Sequence, residues 1–199
     1  MASIIKKSIF TLVFVAVVAC IAYAANWMNG ASGSAPASGG DVSTQAAALI
    51  KAGKSSEAVT LLEGALQKQK GDENLLVMLG SVYVDNKDFE KAAQAYKQAL
   101  SANPSSGRAY LGLGTVSLKQ GNVAGAIQNF TAAMKADPRN PDSYFQMGNM
   151  ALGSNQLNVA MGFYQKALAV DKEHKPTLAI LARIRQIADK ARATQAAKS

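Results

Sequence analysis

Side chains able to do chemistry are scarce in this chain. It has one histidine, His174, and one cysteine, Cys20. A lone cysteine forms no disulfide within the chain and builds no cysteine-based zinc site. A histidine acts as ligand or catalyst only beside a second ligand or a nucleophile, and His174 has neither a partner cysteine nor a paired histidine. The carboxylates gather as Asp72-Glu73 and as Asp85, Asp88 and Glu90. Both groups suit helix starts and turns, where the N-terminal end of the helix dipole favours negative charge. No nucleophile accompanies them. Gly80, Gly114 and Gly148 stand 34 residues apart, so they form no phosphate-cradling loop. Neither an enzymatic activity nor a cofactor or metal is expected.

The same step of 34 organises the rest of the chain. It relates Tyr96, Phe130 and Tyr164, then Ala92, Ala126 and Ala160, then Ala99, Ala133 and Ala167. In Glu73–Ser106, Leu76, Leu79, Gly80 and Tyr83 fall on one helical face. Phe89, Ala92, Tyr96, Ala99 and Leu100 fall on a second, Asp85–Asp88 makes a polar turn, and Pro104 ends the pair. The small residues Gly80 and Ala92 are placed at the crossing of the two helices. Residues 107–140 and 141–174 repeat the pattern, with Gly121 and Asn155 in the turn. Residues 39–72 repeat it without the aromatics, and the first helix of this degenerate copy, near Val42–Ala52, is expected to fray. After His174 one amphipathic helix follows, over about 175–195.

The 34-residue period, the apolar–Gly–Tyr first helix, the Ala–Tyr–Ala second helix and the closing proline resemble the tetratricopeptide repeat. That resemblance implies an all-α, right-handed superhelical array of antiparallel hairpins over 41–174, closed by a C-terminal capping helix. It also implies a binding scaffold whose first helices line a concave groove. Helical spacing places Val77, Ser81 and Val84 in that groove, then Leu111, Thr115 and Leu118, then Phe145, Asn149 and Leu152. Family members that take a partner's carboxylate tail use Lys and Asn here. These positions are mostly apolar, which points to an apolar or amphipathic protein segment instead. The side chains could equally pack between hairpins.

Charge and hydropathy place the chain in a compartment. Residues 28–171 carry 12 basic and 11 acidic side chains, while 172–199 carry seven basic ones against Glu173 and Asp189. The net charge of +8 thus sits at the ends, which argues against a nucleic-acid partner. Arg183, Arg185, Lys190 and Arg192 form a candidate patch for an acidic partner or anionic headgroups, or simply the solvated face of the cap.

At the other end, Lys6 and Lys7 precede an uncharged run from Ser8 to Ala25. Read as a helix at ~1.5 Å per residue, residues 8–26 reach about 28 Å, near the thickness of a bilayer core. Three readings fit: an uncleaved signal anchor over 8–27, a signal peptide cleaved near Ala22-Tyr23-Ala24, or a lipoprotein signal with Cys20 as the lipidated residue. The Gly/Ser/Ala-rich linker 29–40 favours a tether. The expectation is a bacterial inner-membrane protein, single-pass, with its repeats on the periplasmic side. A self-assembling array and the regulatory arm of an envelope enzyme are the competing readings. The mass of the mature chain tests the anchor: residues 1–24 are expected to remain, and a chain starting after Ala24 or carrying lipid on Cys20 overturns it.

Overall fold

The computed structural model describes residues 39–196. Among these there are nine helices and no strand: α1 (Gly39–Lys51), α2 (Ser55–Lys68), α3 (Glu73–Asp85), α4 (Phe89–Ala102), α5 (Gly107–Lys119), α6 (Val123–Ala136), α7 (Pro141–Gly153), α8 (Leu157–Val170) and α9 (Lys175–Ala196). The helix expected over 8–27, with Cys20, lies outside the described residues. No helix among the described residues is long and apolar enough to cross a membrane.

Helix starts recur with the sequence period. Asp72, Ser106 and Asn140 precede α3, α5 and α7, and their side chains accept from the N–H groups of Leu75, Ala109 and Asp142. Asp88 and Asn122 cap α4 and α6 in the same way, whereas Lys54 and Gln156 make no cap bond to α2 and α8. A side-chain cap contributes about 1 kcal/mol, so α2 and α8 begin less firmly.

The turns recur too. Gly53, Lys87, Gly121 and Asn155, each 34 residues from the next, all adopt left-handed backbone, with φ of 71°, 63°, 77° and 60°. One such residue ends each first helix and redirects the chain into its partner.

Packing within each hairpin centres on a glycine and a ring. A Cβ on Gly80 would lie 2.7 Å from the Tyr96 ring, and Gly114 faces Phe130 and Gly148 faces Tyr164 with equal closeness. The glycine therefore clears room for the partner helix's aromatic side chain, rather than for a close approach to Ala92 as the sequence suggested. A helical glycine costs about 0.5–1 kcal/mol, while burying a large apolar side chain returns about 1.5–3, so the exchange is favourable. In the first hairpin the two slots hold Ala46 and Leu62, both fully buried: a smaller filler leaves room for a methyl. With Val42 also buried, α1 is a packed helix of 13 residues, where fraying was expected, and it begins at Gly39 inside the stretch read as linker.

Hairpins stack by placing each second helix on the next first helix, and α1, α3 and α5 also touch directly. The interface of α6 with α7 is smaller than the equivalent ones before it. There Ser143 fills the slot held by Leu75 and Ala109 in earlier repeats. It is fully buried and its hydroxyl has no hydrogen-bond partner. Apolar packing accordingly divides into one core over α1–α5 and another around Ala151, Ala160 and Tyr164.

Lys87 alone in the turn series pays the steric cost of a long side chain in left-handed backbone, about 1–2 kcal/mol, against which glycine loses about 0.5–1 in chain entropy. Lys87→Gly is therefore expected to stabilise the array by up to about 1 kcal/mol, and Gly121→Ala to destabilise it by about 1–2. Denaturant midpoints read both, and a less stable Lys87→Gly protein would contradict the assignment.

Candidate functional site

Three rungs of side chains run along α3, α5 and α7. Val77, Leu111 and Phe145 form the first, Ser81, Thr115 and Asn149 the second, Val84, Leu118 and Leu152 the third. Ser81 is exposed and the other eight are half-buried. The helical period aligns them, because each first helix begins at the same cap slot and presents the same face.

The middle rung is polar, yet its groups are already engaged. Ser81 Oγ donates to the Met78 carbonyl at 2.7 Å, Thr115 Oγ1 donates to the Leu111 carbonyl at 3.0 Å, and Asn149 Oδ1 accepts from the Tyr164 hydroxyl at 2.9 Å. What the face offers a ligand is apolar area flanked by satisfied polar groups. The ladder residues also pack. Val77 and Val84 rest on the first core, Phe145 and Leu152 on the second. The Phe145 ring lies 6.1 Å from that of Tyr164 and meets the His174 ring edge-on at 5.6 Å. The two sequence-level alternatives, groove lining and inter-hairpin packing, thus describe the same half-buried side chains.

Arg108, at the edge of this face, donates to Asn74 Oδ1 one hairpin earlier. Glu73 makes a parallel tie, accepting from Asn103 Nδ2 at 2.7 Å and from Ser106 Oγ at 2.5 Å. These two hydrogen bonds, and secondarily the charge of Arg108, hold its carboxyl below the usual range.

His174 occupies the cap slot of α9, in series with Asp72, Ser106 and Asn140. It is buried, with Nδ1 at 2.7 Å from Thr177 Oγ1 and Nε2 at 3.1 Å from Asp142 Oδ1. Because an ionised Asp142 only accepts, Nε2 carries the proton and Nδ1 accepts from Thr177. The ring joins the first turns of α7 and α9. Sequence alone gave it no partner because both partners lie in the fold. Arg183, Arg185, Lys190 and Arg192 are all exposed on α9.

Two features of the second-helix side escaped the sequence reading. One is a cleft of about 580 Å³ between α2 and α4, floored by Leu79 and Tyr83 and walled by Glu63, Lys70, Lys91 and Gln98. In it the Tyr83 hydroxyl donates to Glu63 Oε1 at 2.6 Å, and the Lys91 ammonium stands 5.5 Å from the ring centre. The other is a set of exposed apolar side chains on α6 and α8: Val123, Ile127, Leu157 and Val159. A signal for the second was available, since α6 and α8 each hold a single charged residue, Lys135 and Lys166.

Helical hairpins repeated at a fixed step, with half-buried apolar rungs along one side, define a class of protein: the interaction scaffold built from helix pairs. The family model of the tetratricopeptide repeat matches residues 77–141 and 118–174, so these residues carry tetratricopeptide repeats. Among solved structures the chain is similar to a crystal structure of MamA, at 20% identity and a TM-score of 0.57, over 66% of this chain and 77% of that one. It is similar to residues 41 to the end of MamA from Desulfovibrio magneticus RS-1, at 23% identity and a TM-score of 0.57, over 79% and 90%. A chain of the APC/C hetero-tetramer Cut9–Hcn1 shares 17% identity and a TM-score of 0.61, over 71% of this chain but 29% of that one. At these identities the likeness is one of fold. No curated protein matches the chain in sequence.

Burial pushes the phenols of Tyr83 and Tyr96 up to about 12, helped at Tyr83 by Glu63 and at Tyr96 by Asp85. The folded state thus keeps both protonated where the unfolded chain ionises near ~10. Their contribution to stability is complete below about pH 10 and is lost as pH rises from there to about 12. Tyr96→Phe, which copies the Phe130 slot, is expected to keep neutral-pH stability within about 1.5 kcal/mol and to flatten this alkaline decline. An unchanged decline in unfolding measured against pH refutes the assignment.

Proposed function

We propose that this protein is a membrane-tethered scaffold that holds an apolar or amphipathic segment of a partner protein along the faces of α3, α5 and α7, in support of an assembly in the cell envelope. The supporting observation is the state of the middle rung. Ser81, Thr115 and Asn149 are satisfied within the chain, so a guest gains from covering Val77, Val84, Leu111, Leu118 and Leu152 rather than from new hydrogen bonds. Charge at the centre of the face is absent, which disfavours a carboxylate tail as the guest. The tether rests on Lys6, Lys7 and the uncharged run 8–25, which also support a periplasmic placement of the repeats.

A second reading has its own observation. Val123, Ile127, Leu157 and Val159 give the second-helix side an exposed apolar patch, which suits stacking of that side of one copy onto the first-helix side of another. Such contacts do not close on themselves and build open assemblies.

Blocking the face with bulk rather than charge spares the packing of Phe145. Ser81→Arg with Thr115→Arg is expected to leave the thermal midpoint within a few degrees and to abolish capture of a partner from envelope extracts. Ile127→Glu with Val159→Glu is expected to leave that capture intact. Loss of self-association in the second pair, with no partner captured by the unmodified protein, would favour the assembly reading instead.

A further inference from the structure

The last helix is too long for its place. α1, α3, α5 and α7 each run 13 residues, while α9 runs 22. Carried forward by 34, the first-helix register of α7 ends at 187, and the left-handed turn slot of Gly53, Lys87, Gly121 and Asn155 falls on Asp189. Asp189 stays helical, so nine residues, 188–196, run on beyond the length of a first helix.

The near half of α9 is committed to the fold. Thr177 is buried, and Ile180, Leu181 and Ile184 pack on the core around Tyr164. The far half is committed to nothing within the described residues: every residue from Arg185 to Ala196 is exposed, and Ile187 is 60% exposed. Helical periodicity extends the apolar stripe through Ile184, Ile187, Ala188 and Ala191. Arg183 and Lys190 border it on one side, Arg185 and Arg192 on the other. Asp189 lies 3.5 Å from Arg192 and 4.0 Å from Arg185, while Arg183 and Lys190 have no carboxylate within ion-pair distance among the described residues.

This pattern selects among occupants. A second copy of the same helix would set these cations against their own kind. A protein groove needs large anchors one and two turns apart, and beyond Ile187 the stripe offers only alanines. An extended negative surface needs neither. It takes a shallow apolar stripe with basic side chains on both margins, which is how an interfacial helix meets headgroups. Each basic side chain near an anionic leaflet is worth about a fivefold gain in partition. Arginine, three of the four here, also pairs bidentately with phosphate.

We propose that the projecting end of α9, residues 183–196, is an interfacial helix that lies on anionic phospholipid, with Ile187 entering the headgroup region and the four basic residues on the phosphates. This reading does not depend on how residues 1–38 are disposed.

The test uses the full chain with vesicles of phosphatidylcholine alone, and with about a third phosphatidylglycerol, reading hydrogen exchange of the 185–196 amides. Anionic vesicles are expected to slow that exchange at least about tenfold, with reversal by high salt. The protection should vanish in Arg183→Gln/Arg185→Gln/Lys190→Gln/Arg192→Gln and fall severalfold in Ile187→Ser. Exchange in α3–α6 controls for folding. Equal exchange on both vesicles overturns the proposal, as does protection that survives the fourfold substitution. Protection by an acidic polypeptide but not by anionic vesicles would instead assign the helix to a protein partner. Flotation with phosphatidylcholine vesicles reads the tether separately, and α9 protection is expected whether or not the chain floats.

Discussion

Each hairpin is held by the fit of one second-helix side chain into the space a missing or minimal first-helix side chain leaves. Tyr96 lies over Gly80, Phe130 over Gly114, Tyr164 over Gly148, and Leu62 opposite Ala46. The two slots vary together in volume, as close packing demands. The rest of the architecture serves this fit. Cap residues fix where each helix begins, and the left-handed slot fixes where it turns. Without either, ring and glycine would fall out of register. Tyr96 goes further: its ring also closes against Gly112 of the next hairpin, so one side chain fastens two repeats.

The functional surface follows from what that fit leaves over. First helices turn their small residues towards their partners, so the opposite face carries the rungs Val77–Leu111–Phe145 and Val84–Leu118–Leu152. These residues touch the core with part of their surface and offer the rest. The polar middle rung closes on itself, which lets an apolar face remain in water without unpaired donors. Positive charge collects at α9, away from this face.

The repeat order was legible because a 34-residue step is a property of identity at fixed positions. It located the hairpins, the turn residues Gly121 and Asn155 and the capping helix. The left-handed state of Lys87 was not legible, because its side chain gives no hint of it; only the register with Gly53 and Gly121 does. The packed state of α1 was missed because the aromatic pattern was sought, whereas Leu62 and Ala46 satisfy the same volume differently. His174 was read as partnerless because Asp142 lies 32 residues away and meets it only through stacking. The rungs were placed correctly on one face by spacing, but spacing alone could not show that Phe145 leans on Tyr164 and His174.

The seam at Ser143 divides the array energetically. Repeat arrays unfold according to how strongly each unit is coupled to its neighbours. Here one coupling carries an unmet hydroxyl, worth about 1–3 kcal/mol, and joins two separate apolar cores over a reduced contact. Cooperativity therefore breaks at that point. The α7–α9 block can detach and re-dock as a unit while α1–α6 stay intact, so the scaffold has a built-in order of opening, beginning from the end that bears its positive charge.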